Sequence, residues 1–94
     1  DGNTPLCFVS DYGYLEIAKY LIEKGADINK SNNNLGKTPL YIASQRGNLE
    51  IVKYLIEKGA DINKSNNHGY TSLHIASLYG HLEIVKYLIE KGTN

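Results

Sequence analysis

The 94-residue chain contains one cysteine, no methionine, no tryptophan, a single phenylalanine and two prolines, and its ten basic residues are balanced by ten acidic ones. Each shortage closes a class of explanation. A lone cysteine, Cys7, cannot form an internal disulfide, which favours a reducing, cytoplasmic location. Zero net charge with histidine neutral gives no general attraction to nucleic acid or to an anionic membrane, so neither is expected as a partner. No apolar run approaches the roughly 20 residues that a membrane-spanning helix needs. Neither a signal peptide nor a charged transit segment is visible. His68, His74, His81 and Cys7 are scattered without paired ligand spacing, so no metal site is expected. The glycines stand singly and build no phosphate loop. Glu and Lys recur together without an apolar pocket to shift their pKa values, which argues against acid–base catalysis. The chain is expected to be non-enzymatic and to carry no cofactor.

What the chain has is repetition. Leu49 to Gly59 recurs letter for letter as Leu82 to Gly92, and again as Leu15 to Gly25 with Ala18 replacing Val. Ala26 to Asn33 matches Ala60 to Asn67 residue for residue. Gly13, Gly47 and Gly80 are spaced by 34 and 33 residues, as are Thr4, Thr38 and Thr71. The additional residue of the first interval falls near Asn34, in a loop, where one insertion costs least. A period of this length, sought before any other signal, decides the architecture. The expected units are about 1–34, 35–67 and 68–94, the last one truncated.

Each unit opens with a helix signal. Thr38 is placed to accept from a free amide of the first turn, and Pro39 fits the first helical position, where its missing N–H is no loss. Gly47 stops that helix after about two turns. Small Ala43 and Ser44 allow a neighbouring helix to come close. The second helix carries Ile51, Val52, Leu55 and Ile56 on one broad apolar face and Glu50, Lys53 and Glu57 on the wet face. Gly59 ends it, with Lys58 expected in the last turn. The following stretch, Ala60 to Gly69, is rich in Asn, Asp, Ser and Gly and predicts a projecting turn or hairpin-like loop, with Ile62 tucked back beneath the helices. Helices of about ten residues are marginal alone, so each unit must bury its face against the next.

These features resemble ankyrin repeats over the whole chain. The helix-opening T-P-L-H pattern is matched by Thr38-Pro39-Leu40 and, apart from Ser72, by Thr71-Ser72-Leu73-His74. The G-A-D-x-N pattern is matched by Gly59-Ala60-Asp61-Ile62-Asn63. Cys7 and Tyr41 depart from the pattern at its His position, which implies a loosened side-chain-to-loop hydrogen bond in those two units; His74 is expected to brace its loop. The resemblance implies an all-α solenoid of stacked helix-turn-helix units with projecting β-turn or hairpin loops. It also implies first helices on the concave side, and protein binding through the loop tips and the first-helix surface.

Comparison of the copies locates the candidates. The second helices barely vary, whereas the loop tips and the ends of the first helices do. The candidate protein-binding residues are Tyr12, Leu35, Lys37, Gln45, Arg46, His68, Tyr70, Leu78, Tyr79 and His81, with Arg46, Tyr70, Leu78 and Tyr79 expected at the centre of a groove. The partner is expected to be another protein. A structural spacer cut from a long uniform array, and a regulatory segment of a larger enzyme or channel, stand as rival readings. Tyr20, Tyr54 and Tyr87 form a second stripe. With units about 10 Å apart their rings are expected to touch. Both ends read as cut from a longer protein. The last unit keeps Ile84, Leu88 and Ile89 apolar, so end-to-end self-association through uncapped terminal repeats is a further expectation. Asn29 and Asn63 each begin an N-x-S glycosylation pattern. The resemblance also offers them as hydroxylation positions.

Overall fold

A computed structural model describes residues 3–33 and 35–92. Asn34, where the sequence places the inserted loop residue, lies outside the described residues. The described chain forms α1 (Pro5–Tyr12), α2 (Leu15–Glu23), α3 (Pro39–Arg46), α4 (Leu49–Glu57), α5 (Ser72–Leu78) and α6 (Leu82–Lys91), with no strand among the described residues.

The first helix of each unit begins as its sequence requires. Thr4, Thr38 and Thr71 are extended residues whose side chains accept from the amides of Cys7, Tyr41 and His74. Pro5 and Pro39 occupy the first turn, where no amide is needed. Gly47 follows α3 at φ 80°, a left-handed conformation that L side chains resist, and so turns the chain into α4. In the first two units the second helices end one residue earlier than expected. Lys24 and Lys58 lie just beyond the last turn as capping residues, and the glycines after them take up the positive φ.

The helices form two layers. The α1, α3 and α5 helices pack side by side, as do α2, α4 and α6. The first helices approach one another more closely than the second helices do, which makes the first-helix layer the concave side. The core lies between the layers and includes Leu6, Leu40, Ile51, Val52, Leu55, Ile84 and Leu88, each almost fully buried. Burial of each such side chain stabilises by about 1.5–3 kcal/mol. Ile56, expected on the same face, is only half-buried, at its edge. Ser10 and Ser44 are sealed at the unit joints with no hydrogen-bond partner for their hydroxyls among the described residues.

Two expectations about the second-helix layer need correcting. Ile84 and Leu88 are not bare: they are buried in the core, and only Ile89 of the three named residues is exposed. Nor do the tyrosines of the stripe touch. Lysines stand between them: Lys19 Nζ lies 5.6 Å from the Tyr54 ring centroid and Lys53 Nζ 5.8 Å from that of Tyr87. Lys58 and Lys91 approach the same rings from their own units, at 5.6 and 5.5 Å. The ring faces attract cations, and a lysine stem is long enough to bridge the distance between units.

Candidate functional site

The base of each loop is clamped by one asparagine. Asn66 donates its amide to Tyr70 O at 2.8 Å, while its Oδ1 accepts from the amides of His68 and Tyr70 at 2.9 and 3.0 Å. Asn32 makes the matching pair of bonds with Lys37, at 2.9 and 3.0 Å. The Asn66 clamp spans four residues and the Asn32 clamp five, so the insertion is absorbed inside the loop tip. Leu35 closes that tip at φ 68° and accepts at its carbonyl from the Asn67 amide at 2.9 Å. Its backbone thus joins two loops, although its side chain is exposed.

The departures at the histidine position do not loosen the loops. Tyr41 is buried and accepts at its hydroxyl from Asn66 Nδ2 at 3.2 Å. Burial pushes the Tyr41 pKa above its ordinary value, with the charges of Tyr79 and Tyr70 adding to the shift. Cys7 is also buried, and its Sγ points to the carbonyls of Lys30 and Lys37, each at 3.7 Å. Burial raises its pKa as well. In both cases a side chain reaches forward from one unit into the next loop. His74 acts more locally: its Nδ1 accepts from the Thr71 amide at 3.0 Å and completes the cap of α5.

The structure brings part of the candidate set together. Lys37 Nζ donates to Gln45 Oε1 at 3.5 Å, and Gln45 Nε2 donates to Tyr79 OH at 3.3 Å. The Tyr79 ring stacks on His81 with centroids 6.3 Å apart, and His81 Nε2 lies 2.9 Å from Gln45 O. Arg46 Nε donates to Asp11 Oδ1 at 2.6 Å. Lys37, Gln45, Arg46 and Asp11 line a groove of about 330 Å³ between α1 and α3, floored by Cys7 and Ile42 and edged by Asn32. Tyr70 and His68 stand beside it at the loop base, with the Tyr70 ring 5.8 Å from His74 and 6.5 Å from His68. Leu78 and Tyr12 are farther out, at opposite ends of the first-helix layer. Tyr12 belongs to a separate aromatic group, 4.7 Å from Phe8 and 5.8 Å from Tyr14.

Sequence reasoning leaves Asp11 and Asn66 out of the candidate set. Asp11 is signalled by the same variation between copies that singles out Arg46, since it stands where the other units have Gln45 and Leu78. Asn66 carries no signal, because Asn32 repeats it and repetition reads as scaffold. Asn29 is engaged within the stack: its Oδ1 accepts from the Asp61 amide at 2.8 Å and its carbonyl from Lys64 Nζ at 2.9 Å. Asn63 is exposed. Among the described residues no group of acidic, His or Cys side chains could hold a metal ion, and no helix is long and apolar enough to cross a membrane.

Paired short helices, repeated in one phase and layered with their loops to one side, define a helical solenoid. The match is to the family described as ankyrin repeats (3 copies), over residues 13–94, and the chain belongs to that family. Ankyrin repeats are generally protein–protein interaction modules, and typically not enzymes. The α1 helix precedes the matched stretch, but it is capped like α3 and packs on α3 as α3 packs on α5. No curated protein matches the chain closely enough to count as a relative.

Proposed function

We propose that this chain, with units of about 1–34, 35–67 and 68–94, is a non-enzymatic binding module. It grips a partner protein in the groove between the first helices and the loop bases. The observation that carries this reading is the placement of variation. Lys37, Gln45, Arg46 and Tyr79 differ among the three copies, yet they are joined to one another or to Asp11 by hydrogen bonds along the concave side. The side chains that repeat without change fill the core instead. A surface that is both variable and ordered suits recognition, because its polar groups are already positioned before a partner arrives. Arg46 and Tyr79 are exposed and of the types that dominate binding energy.

An affinity pulldown with the 94-residue chain as bait, read by mass spectrometry, tests this. The double variant Arg46→Ala, Tyr79→Ala should lose the captured partner while its circular dichroism stays that of the parent. Capture that survives both substitutions discards the groove. The near-identity of Leu49–Gly59 and Leu82–Gly92 favours the spacer reading, in which no partner depends on these residues. Another copy of the chain is a second kind of partner, offered by the ends of the stack.

A further inference from the structure

Position-by-position comparison of the units separates a side that faces back along the array from a side that faces forward. Ile17 is 50% exposed, whereas its counterparts Ile51 and Ile84 are each 2% exposed. Phe8 is exposed where Ile42 and Ile75 are buried. These positions face the preceding unit, and in the first unit nothing described lies against them. The forward side shows the opposite order. Ser77 is exposed where Ser10 and Ser44 are sealed, and Val85 is half-exposed where Ala18 and Val52 are buried. Leu82 and Ile89 are exposed where Leu49 and Ile56 are partly covered.

The uncovered front of the third unit therefore carries the side chains that elsewhere in the molecule seat a following unit, and the uncovered back of the first unit carries the side chains that seat on it. We propose that the chain associates with further copies of itself head to tail, the third unit of one copy against the first unit of the next, in the register of the internal joints. This deepens the reading of the bare ends as a self-association surface and does not depend on the groove.

Three position pairs support that register. At the first internal joint Asp11 meets Arg46, and at the second Gln45 meets Tyr79. The pair between copies is Leu78 with Tyr12, where a leucine that is 75% exposed meets an exposed aromatic ring. Glycines give the second pair. A Cβ on Gly13 would lie 3.1 Å from Asn48 Nδ2, and one on Gly47 2.7 Å from His81 Cε1, because each glycine is covered by a side chain of the next unit. Gly80 has nothing within 4 Å, and the matching cover is Tyr14 of the next copy, which is exposed. The third pair continues the lysine–tyrosine ladder: Lys19 lies over Tyr54 and Lys53 over Tyr87, which brings Lys86 over the exposed Tyr20 of the next copy. A joint between unlike faces leaves a free end after every addition, so it builds open chains rather than a closed pair.

Sedimentation equilibrium of the 94-residue chain tests this across about 10 µM to 1 mM, the range suited to a small helix-face joint. The weight-average mass should rise from the 10.5 kDa of one copy through two copies and beyond. A mass that stays at one copy, or that stops at two, overturns the proposal. Leu78→Asp should abolish the rise. Adding Tyr12→Arg to it should restore the rise, by rebuilding between copies the Asp–Arg pairing of the first joint. Tyr12 and Leu78 lie at opposite ends of one copy, so this rescue cannot arise within a single molecule. If the double variant is folded by circular dichroism and stays monomeric, the register is wrong and the proposal fails. Such a failure leaves the groove reading intact, since Arg46 and Tyr79 act within one copy.

Discussion

Arg46 Nε lies 2.6 Å from Asp11 Oδ1 and ties the last turn of α3 to the last turn of α1. The hydrogen bond to Asp11, and then its charge, push the Arg46 guanidinium above its already high ordinary pKa. Both side chains are in contact with water, so solvent screening leaves the pair worth no more than about 0.5 kcal/mol. Its consequence is positional: it holds the guanidinium at the edge of the groove. Asp11→Asn should move the urea midpoint only slightly at low salt and not at all at high salt, while weakening capture of a groove partner. A large, salt-independent loss of stability would show that the pair holds the fold.

Tyr41→Phe removes the hydroxyl that accepts from Asn66 Nδ2 and leaves that amide buried without its partner. The cost should be about 1–2 kcal/mol, the range for orphaning a buried donor. The effect should reach the loop as well, because Asn66 Oδ1 holds the amides of His68 and Tyr70. Hydrogen exchange at those two amides should speed up more than exchange in α4. Uniform acceleration throughout the chain would mean that the bond supports global stability only.

The buried Cys7 thiol and Tyr41 phenol make the fold sensitive to alkali. Burial raises both pKa values in the folded state, from 9.0 for Cys7 and 10.0 for Tyr41. The unfolded chain therefore releases these protons first as pH rises, and the folded state loses ground until its own groups ionise. Stability from these two groups is fully present below pH 9 and declines above it, Cys7 contributing first and Tyr41 from pH 10 upward. The urea midpoint should hold between neutral pH and about pH 9 and then fall. Cys7→Ala should flatten the first part of the fall, and Tyr41→Phe the second.

The architecture is legible in the sequence because repetition states it three times: Thr38-Pro39 and Gly47 mark the ends of a helix by their own chemistry, and Ile51, Val52 and Leu55 mark its buried face. The second-helix tyrosines are misleading because spacing gives the distance between units and not the reach of a lysine stem. Tyr41 and Cys7 mislead for a related reason. A departure from a pattern looks like a lost bond until the next loop is in place, and only then does a carbonyl or an asparagine amide appear opposite. Ile84 and Leu88 look bare because their place in the last unit suggests an open end, but they face back toward α4 and α5. Of the candidate binding residues, Gln45, Arg46 and Tyr79 are found through variation between copies. Asn66 is invisible to that criterion because it does not vary.

Gly47 and Gly80 occupy matching positions with nearly the same backbone, φ 80° and 75°, so alanine at either should carry the same left-handed strain, about 1–2 kcal/mol. Their surroundings differ. A Cβ on Gly47 would lie 2.7 Å from His81 Cε1 and 2.9 Å from its Nδ1, whereas one on Gly80 meets open space. To admit a methyl group on Gly47 the His81 ring must move, which breaks its contact with Gln45 O and unstacks it from Tyr79. Gly47→Ala should therefore cost about 1 kcal/mol more than Gly80→Ala, the worth of that displaced hydrogen bond. Urea denaturation at low protein concentration, where copies do not associate, compares the two on equal terms. Equal losses would mean that His81 is free to swing away and does not hold Tyr79 in place.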